Sequence, residues 1–157
     1  MSDPIVKSIR VSGSPEHVFR VFTDKLDLWW PPGHRRFERS CLVLEAREGG
    51  RFFERSDGGD EAELGTVLTC EPPSRLVYTW YPGADGRPTE ISVVFSADAD
   101  GTLIEVTHSI GESGLGDQWP ERSRRFDRAW DHVLPAFAAF CGAPSALAEA
   151  NENGTRV

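Results

Sequence analysis

No apolar run in these 157 residues approaches the roughly 20 needed to span a bilayer. The opening Met1-Ser2-Asp3-Pro4 has no signal-peptide pattern either. No membrane partner and a cytoplasmic location are therefore expected. Basic residues are in deficit: 17 Lys and Arg stand against 25 Asp and Glu, for a net charge of −8. That balance argues against nucleic acid as a partner, because binding to phosphate backbones draws its affinity from clustered Lys and Arg. Cysteine is scarce. Cys41, Cys70 and Cys141 lie far apart with no C-x-x-C pattern, so neither a disulfide framework nor a zinc site is indicated, and three reduced, mostly buried thiols are expected.

Catalytic signatures are missing as well. His17, His34, His108 and His132 are scattered and form no H-E-x-x-H, H-x-H or Cys/His cluster of metal spacing. The chain has no G-x-S-x-G elbow, G-x-G-x-x-G fingerprint or P-loop. Activated-serine chemistry and nucleotide binding are without support, and neither a metal nor a cofactor is expected.

What the chain does have is one long amphipathic segment, Trp119–Cys141, in which Phe126, Trp130, Val133, Phe137 and Phe140 recur at helical spacing. A length of 157 residues suits one domain, and 39% hydrophobic and 10% aromatic content exclude disorder over most of it. Ile5 to Val11 alternates as a strand. Ser14-Pro15 then offers an N-cap and a first-turn proline for a short helix carrying Val18, Phe19, Val21 and Phe22. Asp24 is expected to cap a second short helix that runs into Trp29-Trp30 and stops at Pro31-Pro32-Gly33.

Strands are expected at about 39–46, 51–55, 61–71, 75–81, 89–96 and 102–110. They are separated by Gly49-Gly50, Asp57-Gly58-Gly59, Pro72-Pro73-Ser74, Asp85-Gly86 and Asp100-Gly101, turn residues at hairpin spacing. The last strand sets Ile104, Val106, His108 and Ile110 on one face, so His108 points inward and Glu105 does not. Residues 1–142 are expected to form one domain and residues 143–157, where periodicity ends, a flexible tail.

Four stretches, in order, carry a resemblance: Val18-Phe19-Arg20-Val21-Phe22-Thr23-Asp24 with Trp29-Trp30-Pro31-Pro32; Gly49-Gly50-Arg51-Phe52; Gly65-Thr66-Val67-Leu68 with Pro72 through Trp80; and Gly101 through His108. With the closing helix around Trp130-Asp131-His132-Val133-Leu134, they resemble the heat-shock-protein-90 ATPase activator homologue-like branch of the START-like (SRPBCC) superfamily. The resemblance implies an α+β helix-grip fold: a curved antiparallel sheet, two short helices after the first strand, and a long C-terminal helix gripped by the sheet. Relatives of this fold bind apolar small molecules between sheet and helix. Pro135 lies inside that helix and removes one backbone donor, so a kink is expected in its final turns.

Trp29, Trp30, Phe53, Tyr78, Trp80, Val93, His108, Phe126 and Trp130 are the ligand-binding candidates, in a cavity expected to measure a few hundred cubic ångströms. No catalytic residue is assigned. A lone histidine on an apolar strand face is first of all a hydrogen-bonded structural group, although His108 is also the one candidate acid–base residue. Arg122, Arg124, Arg125 and Arg128 read as a solvated helix face with Glu121 set to pair with Arg125. Binding of a hydrophobic or aromatic small molecule is the favoured function. A chaperone or other protein partner, and an enzyme acting on an aromatic or polyketide-like substrate, are the alternatives; assembly as a homodimer is left open.

Overall fold

The computed structural model describes residues 3–81 and 87–142. The expected turn at Asp85-Gly86 and the expected flexible tail, 143–157, lie outside them. Seven strands make one antiparallel sheet: β1 Ile5–Ser12, β2 Ser40–Leu44, β3 Arg51–Ser56, β4 Glu61–Glu71, β5 Arg75–Trp80, β6 Thr89–Asp98 and β7 Gly101–Ser109. Their order, β1-β7-β6-β5-β4-β3-β2, is a meander closed by the first strand, which pairs with the last. Helices α1 (Pro15–Asp24) and α2 (Leu26–Trp29) carry the chain from one sheet edge to the other. Helix α3, Trp119–Cys141, lies in the hollow of the curled sheet, so the fold is the α+β helix grip that was expected.

Curling needs places where the ladder can bend. Register shifts occur between Phe52 and Phe53 and between Val67 and Thr69, and such bulges sharpen local twist. Between them sits Gly65, where an added Cβ would lie 1.8 Å from the Thr79 carbonyl oxygen; only a residue with no side chain fits.

Local signals account for two of the helix ends. Ser14 Oγ accepts from the His17 amide at 3.2 Å, with Pro15 in the first turn. Asp24 does not cap α2; it ends α1, and α2 begins after Lys25 with no side-chain cap. Gly142 closes α3 at φ 78°, a left-handed conformation natural to glycine. The helix runs on through Pro135 to Cys141, so the proline does not end it. On β1, Lys7 is paired with Asp127 and Asp131, one turn apart on α3, and ties the helix to the sheet edge.

The aromatic stripe of α3 divides in two. Its C-terminal half is packed solid: the Phe137 ring lies 5.3 Å from Phe22 and 4.7 Å from Trp29, and Phe95 of β6 meets Phe19 and Phe22 at 5.1 and 5.6 Å. Phe140, expected to complete the stripe, is 45% exposed in the last turn; helical spacing does not reveal where the partner surface stops. The thiols also differ from expectation, with Cys41 exposed and Cys70 and Cys141 only half-buried, all three free. Among the described residues, no helix is long and apolar enough to cross a membrane.

Candidate functional site

Around the N-terminal half of the stripe the packing opens. A cavity of about 90 Å³ is enclosed by Tyr78 and Trp80 from β5, Ile91 from β6, His108 from β7, Phe126, Ala129, Trp130 and Val133 from α3, and Trp30 and His34 from the segment after α2. Tyr78, Ile91, His108, Trp130, Val133 and Trp30 are buried and form its floor and walls; half-exposed His34, Trp80, Phe126 and Ala129 mark its mouth. The space is smaller than the expected few hundred cubic ångströms. Rings occupy the difference: Phe52 lies 5.5 Å from Tyr78, 5.8 Å from Trp80 and 6.2 Å from Trp30, which itself stands 6.2 Å from Trp80.

Six of the nine sequence candidates, Trp30, Tyr78, Trp80, His108, Phe126 and Trp130, therefore come together here. Three do not. Trp29 is core, with its indole N–H donating to the Val21 carbonyl at 3.1 Å. Val93 is fully buried in the packed interior. Phe53 lies on the opposite face of β3, beneath the guanidinium groups of Arg51 (3.8 Å) and Arg55 (5.1 Å). Its neighbour Phe52 faces inward. Alternation could have revealed this, because Arg51, Phe53 and Arg55 share one strand face, and two arginines that bond Glu61 and Glu63 mark it as the solvent side.

His108 occupies a closed relay. The Trp130 indole N–H, which can only donate, gives its proton to Nδ1 at 3.1 Å, so the imidazole proton resides on Nε2. From there it donates to Thr89 Oγ1 at 2.8 Å, and Thr89 in turn donates to the Trp80 carbonyl at 3.0 Å. Phe126 stacks on the ring with centroids 4.5 Å apart. Burial pushes His108 down to about 3, and neither ring nitrogen is bonded to an ionisable group. It is a neutral strut between α3 and the sheet.

His34 was only one of four scattered histidines in the sequence; the fold sets its ring 5.6 Å from that of His132 on α3, at the cavity mouth. Burial, and secondarily His132, lower its pKa below the ordinary imidazole value. Its segment is held from both sides. The Arg35 guanidinium donates to Asp27 Oδ1 at 2.6 Å and to the carbonyls of Asp27, Trp30 and Ser40. Buried Glu54 accepts from the amides of Arg36 and Phe37, both at 2.9 Å, and from Ser40 Oγ at 2.7 Å. Nothing local in the sequence marks Pro31-Pro32-Gly33-His34 as a cavity wall, since the loop has no periodicity. Among the described residues no cluster of three or more His, Cys, Asp or Glu could hold a metal ion.

A curled antiparallel sheet gripping a C-terminal helix over an apolar cavity defines the START-like (SRPBCC) class. The chain belongs to the family described as "Activator of Hsp90 ATPase homolog 1-like protein", whose model matches residues 12–142. Among solved structures it is similar to the anthrahydroquino-γ-pyrone synthase Txn09, with 33% identity over 89% of this chain and 96% of that one and a TM-score of 0.56. It also shares its fold with CalU16 from Micromonospora echinospora (24% identity, 95% and 81% covered, TM-score 0.63) and NE0264 from Nitrosomonas europaea (16%, 88% and 94%, 0.66). No curated protein matches the sequence.

Proposed function

We propose that the protein binds a flat, apolar aromatic molecule between its sheet and α3. The observation that carries this reading is the convergence of Trp30, Trp80, Phe126 and Trp130 on one opening that is walled by rings and bordered by half-exposed side chains. Aromatic surfaces at such an opening offer faces and edges for another ring to pack on. A cavity of about 90 Å³ takes only the leading edge of a fused ring system, so the rest lies across Trp80 and Phe126 at the mouth. The relatedness to Txn09, a synthase whose name specifies a fused aromatic product, supports the same ligand class.

That relative also favours a second reading, in which an aromatic, polyketide-like substrate is converted rather than held. His108 is unsuited to be its acid–base group, being neutral and engaged at both nitrogens. A chaperone-partner reading rests on the family name alone.

Titration with a hydroxyanthraquinone, followed by tryptophan fluorescence and by melting temperature, tests the binding reading. Saturable quenching together with a rise in melting temperature is the expected result, since a ligand that binds only the folded state stabilises it. Linear, non-saturating quenching without a thermal shift would remove the proposal.

A further inference from the structure

The five tryptophans divide by what their indole N–H groups do. Trp29, Trp30, Trp119 and Trp130 donate to the Val21, His34 and Asp3 carbonyls and to His108 Nδ1, at 3.1, 2.9, 2.9 and 3.1 Å. Trp80 alone has no hydrogen-bond acceptor among the described residues, and Trp80 lines the cavity.

Two positions earlier on β5, and so on the same strand face, stands Tyr78. Only 1% of Tyr78 is exposed, yet its hydroxyl has no hydrogen-bond partner among the described residues. Buried tyrosine hydroxyls ordinarily find one. Nor is this hydroxyl among the fully buried side-chain atoms that lack a hydrogen-bond partner, so it retains some accessible surface, and the open space that Tyr78 adjoins is the cavity. A donor left without an acceptor in an otherwise apolar chamber costs stability unless something brings an oxygen to it.

We propose that Tyr78 and Trp80 are the specificity-determining groups of the cavity, donating hydrogen bonds to acceptor oxygens on the bound ring system. The inference rests on the binding reading above and narrows its ligand class. Two donor-bearing side chains on one strand face, with backbone positions about 7 Å apart, suit an oxygenated arene of the quinone or aryl-ketone type. They do not match an aromatic hydrocarbon or an aliphatic chain. Burial also raises the Tyr78 phenol well above its usual range, so it remains protonated and able to donate across the whole neutral region.

A matched pair of probes tests this: a sulfonated anthraquinone and the sulfonated anthracene of the same shape and charge, each titrated against the wild-type protein and against Tyr78→Phe. The wild type should bind the quinone about tenfold more tightly, the worth of one good hydrogen bond. Tyr78→Phe should reduce that preference several-fold, leaving only what Trp80 contributes, while binding the anthracene as before. Equal binding of both probes by the wild type, or an undiminished preference in Tyr78→Phe, overturns the inference and leaves the binding reading standing. Binding of neither probe overturns both. The melting temperature of Tyr78→Phe is a second check: because the hydroxyl bonds none of the described residues, it should be unchanged or higher. A drop of several degrees would show that the hydroxyl already has a partner in the protein and would overturn the assignment.

Discussion

The indole N–H of Trp130, midway along α3, meets Nδ1 of His108 on β7 at 3.1 Å. This contact spans the apolar space between helix and sheet and determines on which nitrogen the imidazole carries its proton. It makes His108 a structural element with a measurable pH signature.

With His108 near 3 in the folded protein and near 6.5 in the unfolded chain, only the unfolded state takes up a proton as pH falls below 6.5. Its contribution to stability is therefore complete above pH 6.5 and is lost progressively down to about 3. The slope approaches about 1.4 kcal/mol per pH unit. His34, lowered in the same direction, adds to the loss. Urea melts between pH 7.5 and 5 should show the decline, and His108→Leu should flatten it. An unchanged slope in the variant would refute the buried-neutral assignment.

Trp130→Phe keeps the ring in place but deprives Nδ1 of its donor. Leaving that buried acceptor unpaired should cost about 1–3 kcal/mol, read as a lower urea midpoint. No loss at all would mean that the 3.1 Å contact contributes nothing to the fold.

Arg35→Ala removes the guanidinium that binds Asp27 and three carbonyls around the His34 segment. A destabilisation of about 2–3 kcal/mol is expected, with faster amide exchange over residues 31–40. Arg35→Lys should recover little, because one ammonium cannot reproduce the planar fork. Wild-type exchange rates in Arg35→Ala would show that the loop is anchored by Glu54 alone.

Gly65→Ala would drive a Cβ into the Thr79 carbonyl oxygen, 1.8 Å away, and force β4 from β5. The expected loss exceeds about 3 kcal/mol. Gly33→Ala, where a Cβ meets nothing within 4 Å, should change stability by less than about 0.5 kcal/mol. Similar melting curves for the two variants would contradict the close approach at Gly65.

Much of the fold can be read without coordinates. The span of α3, Trp119–Cys141, and of β4, Glu61–Glu71, follows from period and turn residues alone, because side-chain direction repeats every 3.6 or two residues along a regular backbone. The same logic put His108 inside and Glu105 outside, as their burial shows. Carried through β3, it also separates the two adjacent phenylalanines: Phe53, the ligand candidate, shares a face with Arg51 and Arg55, and Phe52 does not.

The sequence by itself determined which residues could be apolar lining and in what order the strands would come, since both depend on local pattern. Only the tertiary structure decided that Trp29 fills core while Trp30 borders a cavity, that His34, on its wall, stands beside His132, and that the chamber holds about 90 Å³ rather than a few hundred. A void is what remains after rings from α2, β3, β5 and α3 have packed against one another. Its size is a small difference between large volumes contributed by distant parts of the chain, and no local pattern records it.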